Sequence, residues 1–199
     1  MKYYTEIVLF QDIKTLYELW SFLYSQTHFT LASWHKKGVK SIGVSFPEYR
    51  LNRQHYTLGD TFRIFAPNRD MLAEFVADLT ARLDKYDMHY RDHYHFKSIK
   101  PVPEMHAYTQ FRRKREREDK ETKARRYAKR HGISYQEALK RFAGYEPQPR
   151  NLPFLLLKSQ SNSGIYRCYI EQVQEIMYQD AFPIQEYDTF GAGGLVPYF

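Results

Sequence analysis

The segment FRRKREREDKETKARRYAKRH, residues 111–131, carries side chains that could bind a polyanion. Residues 112–131 contain 11 Lys/Arg and 4 Asp/Glu, and their net charge of +7 equals the formal net charge of the whole chain. A localised basic block is typical of nucleic-acid binding, because each phosphate that a cation neutralises releases condensed counterions. The segment therefore predicts a binding surface for a polyanion.

An ordered helix is the expected structure of this basic segment. Lys123, Arg126, Lys129 and Arg130 are separated by three, four and seven residues, so on a helix they project from one side. The four acids lie in the first half of the segment, where the helix dipole favours anions. Ion pairing cannot neutralise the second half, which has no acid. We expect an arginine-rich helix over about residues 112–131.

Three serines form a second group that could take part in phosphate chemistry. Ser159, Ser161 and Ser163 alternate along the chain between Lys158 and Arg167. Small hydroxyls beside cations suit hydrogen bonding to phosphate or ribose oxygens. Serine-rich turns between strands are also ordinary structural features, so the residues alone leave both interpretations open.

His28 could supply a base, since the unperturbed pKa of histidine, about 6.5, lies near neutrality. It lies off the stripe of Leu16, Leu19 and Leu23 on a predicted helix, which argues against a place in the core. An exposed helix histidine without a function is the alternative interpretation.

No metal and no cofactor are expected. His89, His93 and His95 fall in HYRDHYH, but no second group of ligands is visible, and packed or solvated histidines are the favoured interpretation. Cys168 is the single cysteine, so the chain has no internal disulfide and no cysteine-based zinc site, which fits a reducing compartment. The alternating run IYRCYIEQV predicts that Cys168 is a buried strand thiol.

Length and composition predict a folded protein of the cytoplasm. The chain has 199 residues, of which 43% are hydrophobic and 17% aromatic, enough to bury the core of one domain or of two small ones. It has no apolar run of about 18 residues, and its first residues lack the layout of a signal peptide. No membrane partner is therefore expected.

The hydrophobic pattern predicts an α+β protein. Strands are expected at residues 3–10, 41–49, 60–67 and 88–102, and helices at 12–36 and 68–86, the second capped by Asn68. The order β-α-β-β-α-β is that of a ferredoxin-like domain, here over residues 1–100. Residues 101–199 are expected to form a C-terminal region with the arginine-rich helix, a short helix at 134–142 capped by Ser134, a small sheet and a Gly-rich tail.

Four motifs occur in order along nearly the whole chain. They are LYSQTHFTL followed by IGVSFP, FRRKR leading into the arginine-rich helix that ends AKRHGIS, LPFLLLKSQS, and the closing GGLVPYF. Together they resemble the CRISPR-associated endoribonucleases of type I-F systems, which cut precursor CRISPR RNA within each repeat. In that family a ferredoxin-like N-terminal domain is joined to a C-terminal RNA-binding region, which agrees with the predicted order of strands and helices.

The resemblance implies a role for individual residues. His28 matches the catalytic histidine, Ser159 the catalytic serine, Ser161 a second hydroxyl, Tyr187 a tyrosine that shapes the site, and Tyr166 an aromatic residue that stacks on the base at the cut. Arg113 and Arg115 match a pair that reads the foot of the RNA hairpin. Basic residues implied to bind the RNA are Arg125, Arg126, Lys129, Arg130 and His131.

The resemblance also implies an activity and its partners. The expected enzyme cleaves precursor CRISPR RNA at the base of the repeat hairpin without a metal, through attack by a ribose 2′-OH. The products are a 2′,3′-cyclic phosphate and a 5′-OH. The enzyme then keeps the mature hairpin and becomes a subunit of the type I-F surveillance complex.

Departures from the family pattern leave alternatives open. About three extra residues separate His28 from SIGVSFP, so His35 is a second candidate for the base. Arg115 stands where the family has a glutamine, which leaves open the base pair that is read, and Lys129 stands for an arginine. An RNA-hairpin-binding protein without cleavage and a helix-turn-helix DNA regulator, the latter suggested by KRHGISYQEALKRF, are the alternative functions.

Overall fold

A computed structural model describes most of the chain as an α+β protein. The described residues are 1–10, 16–51, 56–86, 91–104, 107–115, 119–146, 151–158, 164–176 and 186–199. They divide into two compact units, of which unit 1 combines Met1–Lys114 with Leu152–Phe199 and unit 2 is Arg115–Asn151. The predicted division into residues 1–100 and 101–199 stays a prediction, and unit 1 draws strands from both of these ranges.

The strands and helices follow one another in a mixed order. In chain order they are β1 (Tyr3–Leu9), α1 (Leu16–Lys36), β2 (Gly43–Ser45), β3 (Arg50–Leu51), β4 (Tyr56–Thr57), β5 (Thr61–Ala66), α2 (Arg69–Tyr86), a 3₁₀ turn (Arg91–His93), β6 (Tyr94–Phe96), β7 (Lys100–Pro101), β8 (Ala107–Arg115), α3 (Lys120–His131), α4 (Tyr135–Arg141), β9 (Phe154–Lys158), β10 (Ile165–Ile176) and β11 (Leu195–Tyr198).

The first sheet of unit 1 has the strand order β2-β5-β1-β6 among the described residues, and β7 also pairs with β1. The pairs are antiparallel, and the register places Ile7 opposite Phe62 and Glu6 opposite Arg63. Helix α2 follows β5, as its hydrophobic pattern predicts. The Asn68 side chain accepts the Met71 N–H at 2.8 Å and so caps the helix. The Asn68 cap is therefore confirmed.

The second sheet of unit 1 has the order β11-β8-β10-β9 among the described residues. Aromatic packing joins it to the first sheet, because the ring of Phe46 after β2 meets that of Phe111 in β8 edge to face, with centroids 5.2 Å apart. The Tyr49 hydroxyl donates to the Ile170 carbonyl at 3.0 Å. Cys168 is buried in β10, as predicted, and burial raises the pKa of its thiol to about 12. The two sheets share one hydrophobic core.

Unit 2 is a pair of helices, and its first helix is shorter than predicted. Helix α3 begins at Lys120, where the Asp119 side chain accepts the Thr122 N–H at 2.6 Å, and ends before Gly132, which has a φ of 65°. The expected helix start near residue 112 is wrong because residues 112–115 belong to β8. The predicted Ser134 cap of α4 is confirmed, with a full capping box to Glu137.

Strands β8 and β11 were not predicted, because charge and glycine masked their pattern. In β8 the side chains of Thr109 and Phe111 are buried while Arg112 is exposed, which follows the two-residue period of a strand. Lys114 pairs with Glu171 at 2.8 Å, so a cation of the basic segment is used within unit 1. Within the predicted strand at 88–102, the described residues 91–102 contain the 3₁₀ turn and the two short strands β6 and β7.

The described residues contain neither a membrane-spanning helix nor a metal cluster. None of their helices is long and apolar enough to cross a membrane. No group of three or more His, Cys, Asp or Glu side chains in the same residues is placed to hold a metal ion. Of the histidines first considered as ligands, His93 lies in the 3₁₀ turn, His95 is exposed in β6, and His89 lies outside the described residues.

A buried ion pair in the first sheet gives a test of the fold. Arg63 donates to Glu6 at 2.7 Å, and their side chains are only 7% and 14% exposed. Lys97 pairs with the same carboxylate but is 46% exposed. Glu6→Leu should lower the free energy of unfolding by about 3–5 kcal/mol, because it leaves a buried guanidinium without its counter-ion.

Lys97→Met is the matched control. It should change the free energy of unfolding by about 1 kcal/mol or less, because the Lys97 side chain is about half exposed to solvent. Urea denaturation measures both values. Equal effects of the two substitutions would contradict the assignment of Arg63 and Glu6 as the buried pair that stabilises unit 1.

Candidate functional site

Helix α1 places His28 at the edge of its buried face. The buried residues of the helix are Leu19, Trp20, Leu23, Tyr24, Thr27, Thr30, Leu31 and Trp34. His28 is half-buried and follows Tyr24 by one helical turn. It is thus next to the core but not part of it, as its position off the leucine stripe predicts.

The His28 ring is held by two contacts with the C-terminal loop. Its Nδ1 lies 2.6 Å from the Thr189 carbonyl oxygen, 161 residues away in the chain. A carbonyl oxygen only accepts, so Nδ1 carries the proton of the neutral ring and Nε2 carries the lone pair. The ring also stacks on Phe190, with centroids 4.0 Å apart and planes inclined by 12°. This tautomer is the one a base acting through Nε2 requires.

The surroundings of His28 favour its neutral form. Burial lowers the pKa of His28, and the Arg113 guanidinium lowers it as well, while the Thr189 carbonyl and the Asp188 carboxylate act in the opposite direction. The net pKa is below the usual value of 6.5. His28 can therefore accept a proton at neutral pH.

Arg113 and Tyr166, both predicted to contact RNA, lie together near His28. The Arg113 guanidinium carbon is 4.2 Å from the centroid of the Phe190 ring, the same ring on which His28 stacks. Burial raises the pKa of Tyr166 in β10, and Arg113 is near enough to act on that pKa in the opposite direction. Strands β8 and β10 are in one sheet, which brings these two residues together. Unit 1 thus gathers a base, a cation and two aromatic rings.

Tyr187 supports the C-terminal loop in this structure. Its side chain is buried, and its hydroxyl donates to the Leu195 carbonyl at 2.6 Å. Its ring packs so closely on Gly43 and Gly194 that a Cβ on either residue would lie within 3 Å of it. Burial raises the pKa of Tyr187, so the hydroxyl keeps its proton at neutral pH. Its predicted role near the scissile phosphate stays a prediction.

His35, the second candidate for the base, lies seven residues after His28, two turns further along α1, and faces the same C-terminal loop. Its Nε2 is buried and hydrogen-bonds to none of the described residues. Burial lowers the pKa of His35, although Asp188 acts in the opposite direction. His35, Lys40 and Glu186 line one shallow pocket, and Lys40 pairs with Glu186 at 3.0 Å.

The predicted catalytic serines, Ser159 and Ser161, lie outside the described residues. The described residue before them is Lys158, the last of β9. Arg115 ends β8, and its side chain also lies outside the described part of the chain.

Unit 2 presents a basic face on α3. The side chains of Arg125, Arg126, Lys129 and Arg130 are exposed, while Ala124 and Ala128 are buried against α4. These four cations lie at positions i, i+1, i+4 and i+5 of the helix and therefore share one side of it. We call Arg125, Arg126, Lys129 and Arg130 the basic face.

Lys123 does not belong to the basic face, although its spacing had suggested it. Its Nζ lies 3.7 Å from the centroid of the Tyr145 ring and 5.2 Å from that of Phe142, which packs against α3 and α4. His131, another predicted RNA contact, is exposed and stacks on Tyr127 with centroids 4.0 Å apart. Aromatic contacts within unit 2 therefore decide where these two side chains lie.

Thr189 and Phe190 are the residues of the site that the sequence did not reveal. A backbone carbonyl leaves no mark in a sequence, and Phe190 reads as one more apolar residue of the tail. The run FGAGGLV was the available signal, since clustered glycines indicate close backbone approach.

Comparison with known proteins identifies the family of the chain. A family model described as "CRISPR-associated protein (Cas_Csy4)" matches residues 4–199. A protein of Pseudomonas aeruginosa (strain UCBPP-PA14) named "CRISPR-associated endonuclease Cas6/Csy4" is 30% identical over 184 residues, which are 92% of this chain and 90% of that protein.

Solved structures show more distant similarity. The structure titled "CRISPR associated protein Cas6" has a TM-score of 0.36 at 16% identity and covers 100% of this chain and 99% of that chain. The structure titled "An RAMP protein binding different RNA substrates" has a TM-score of 0.36 at 12% identity and covers 100% of both chains. The family model over residues 4–199 and the relative at 30% identity confirm the resemblance of the four motifs, and the chain belongs to the Cas_Csy4 family of CRISPR-associated proteins.

Proposed function

We propose that this protein is a metal-independent endoribonuclease that cleaves precursor CRISPR RNA at the base of the repeat hairpin. The observation that carries the proposal is the His28 ring, whose Nδ1 is hydrogen-bonded to the Thr189 carbonyl so that Nε2 holds the lone pair, in a chain of the Cas_Csy4 family. The endonuclease name of the Pseudomonas aeruginosa relative supports the same activity.

The reaction follows from a base that is neutral near pH 7. His28 Nε2 accepts the proton of the ribose 2′-OH, whose oxygen attacks the adjacent phosphorus. A bond forms between O2′ and phosphorus, and the bond between phosphorus and O5′ breaks. The leaving O5′ takes a proton from water, and protonated His28 returns its proton to water. The products are a 2′,3′-cyclic phosphate and a 5′-OH. The reaction also requires cations and hydroxyls that stabilise the charged phosphorane.

Ser159 and Ser161 are proposed to supply hydroxyls beside His28, and the course of β9 supports this. Tyr17 meets Phe154 with ring centroids 5.4 Å apart, and the Leu156 N–H donates to Ser21 Oγ at 3.1 Å. Four helix residues advance about 6 Å and two strand residues about 6.6 Å, so β9 runs along α1 towards His28. Strand β9 ends at Lys158, and Ser159 is the next residue along the chain.

RNA binding is proposed for two groups of residues. The basic face of unit 2, with His131, would contact the phosphates of the hairpin stem, because an exposed row of cations suits the charge of a duplex backbone. Arg113 and Arg115 would contact the foot of the hairpin, and Tyr166 the base at the cut. Tyr187 would shape the site by holding the C-terminal loop.

The finer fold and the cellular setting are also part of this proposal. The strand order β2-β5-β1-β6, with α1 and α2 between the strands, supports a ferredoxin-like fold for the first sheet and its helices. We further propose that the protein works in the cytoplasm and that it stays bound to the mature RNA as a subunit of the type I-F surveillance complex.

Incubation with the repeat RNA of the CRISPR array in the source genome tests the activity. In EDTA the protein should cut the RNA once at the base of the hairpin, and mass spectrometry of the products should find a 2′,3′-cyclic phosphate and a 5′-OH. RNA with a 2′-deoxyribose before the cut should bind with nearly unchanged affinity and stay intact.

Cleavage of the deoxyribose substrate would remove the 2′-OH from the mechanism, and loss of cleavage in EDTA would remove the metal-free claim. Tight hairpin binding without cleavage of any substrate would identify the RNA-binding alternative.

A further inference from the structure

The loop that contacts His28 is a turn closed around the Asp188 side chain. Asp188 Oδ1 accepts the backbone N–H groups of Phe190 at 2.8 Å and Ala192 at 3.0 Å. Backbone bonds close the same segment, from the Gly191 N–H to the Asp188 carbonyl at 2.8 Å and from the Asp188 N–H to the Ala192 carbonyl at 2.9 Å. Four hydrogen bonds thus shape residues 188–192, which we call the positioning turn.

Neighbouring elements fix the positioning turn from both sides. The buried Tyr24 hydroxyl of α1 donates to the Phe190 carbonyl at 3.0 Å, and the Val44 N–H of β2 donates to the Gly191 carbonyl at 2.9 Å. Gly191 has a φ of 68°, and a Cβ there would lie 2.6 Å from Val44 Cγ1. The turn therefore fits against α1 and β2 in one arrangement that needs glycine at position 191.

A general base needs a defined tautomer and a defined ring orientation, and the positioning turn makes one contact with His28 that fixes each of them. The Thr189 carbonyl at 2.6 Å fixes which ring nitrogen carries the proton. The Phe190 ring at 4.0 Å fixes the plane of the imidazole. Without these two contacts from the turn, the packing of His28 on its own helix would leave both the tautomer and the rotation of the ring undetermined.

We propose that the positioning turn holds the His28 ring in the tautomer and orientation that a general base acting through Nε2 requires, with Asp188 and Phe190 as positioning residues. The inference rests on the proposed function for the role of His28 in catalysis. Its structural part concerns the tautomer of His28 and holds for the free protein.

Asp188 acts through its oxygen as an acceptor and not through its charge. Among the described residues, the charged or titratable groups that shift the pKa of His28 are Arg113 from β8, Asp188 from the turn and His35 on the same helix. The Asp188 charge favours protonated His28 and so opposes a neutral base. Asp188→Asn keeps an acceptor oxygen and removes the charge, whereas Asp188→Ala removes both.

The pair of substitutions separates these contributions in single-turnover cleavage of the repeat RNA. Asp188→Ala should lower the rate about 10- to 100-fold with little change in RNA affinity, because small misplacements of a reacting group have effects of this size. Asp188→Asn should stay close to wild type. Phe190→Leu keeps an apolar side chain, loses the stacking plane and should also lower the rate.

Nitrogen NMR of labelled histidine gives a readout that does not depend on cleavage. In wild type and Asp188→Asn, His28 should show a protonated Nδ1 and an unprotonated Nε2, and in Asp188→Ala it should show a mixture of tautomers. His28→Gln assigns the signals, and thermal unfolding checks that each variant is folded. If Asp188→Ala does not fold, Phe190→Leu carries the test of the ring plane.

Wild-type rates in Asp188→Ala and Phe190→Leu, together with an unchanged His28 tautomer in Asp188→Ala, would overturn the inference. An equal loss in Asp188→Asn and Asp188→Ala would overturn it as well. Failure of the proposed function looks different, since wild type would then not cut the RNA while the tautomer of His28 still reports on the turn.

Discussion

His28→Ala should slow single-turnover cleavage of the repeat RNA by about 10²- to 10⁴-fold, the usual loss when a general base is removed. Hairpin affinity should change little, because the proposed RNA contacts lie on other residues. The expectation follows from the His28 ring, which the Thr189 carbonyl and the Phe190 ring hold with Nε2 as the proton acceptor.

His35→Ala is the matched control for this substitution. His35 lies on the same face of α1 and near the same loop, but its Nε2 is buried and hydrogen-bonds to none of the described residues. Cleavage by His35→Ala should therefore stay near the wild-type rate. The reverse result, with His35 essential and His28 dispensable, would transfer the role of base to His35.

The pH dependence of cleavage should carry the same signature. Burial and Arg113 lower the pKa of His28, so the ring stays neutral to a lower pH than an ordinary histidine. Because the neutral ring is the active form, the rate should fall with decreasing pH only below the usual value of about 6.5. An acid limb above that value would contradict the assignment of His28 as the base.

Removing the charges of the basic face should weaken RNA binding and make the affinity less dependent on salt concentration. If Arg125, Arg126, Lys129 and Arg130 each contact one phosphate, changing all four to glutamine should reduce the slope of log affinity against log salt by about three to four units. Between 50 and 200 mM salt, wild type should then lose about 10²-fold more affinity than the variant. Fluorescence anisotropy with the uncut deoxyribose hairpin measures both slopes.

Lys123→Gln is the control on the same helix. It removes one charge from α3, but that charge lies over the Tyr145 ring and not on the basic face. Its salt slope should match wild type. A variant of the basic face with an unchanged slope would show that α3 does not contact the RNA backbone.

Local pattern accounts for the elements that the sequence predicted well. Helix α2 places Leu72, Phe75 and Leu79 at helical spacing, and all three are fully buried. Asn68 and Ser134 cap their helices through bonds that span three residues. Such features depend on residues a few positions apart, so a single sequence contains what is needed to predict them.

The basic segment shows where local pattern was insufficient. Its charges predicted one helix, yet residues 112–115 belong to a strand whose partners, β10 and β11, begin at least 50 residues later in the chain. Strand pairing depends on those distant partners and on the burial of Phe111, and neither is visible in the charges themselves.

The sequence by itself determined the place of the basic excess, the amphipathic helices with their caps, and the motifs that indicated the family. Tertiary structure alone decided that the Thr189 carbonyl and the Phe190 ring meet His28, that Arg113 approaches the same ring, and that Lys123 turns towards Tyr145. The reason is physical, since the tautomer of a histidine and the direction of a lysine follow from neighbours that only the folded chain brings within a few ångströms.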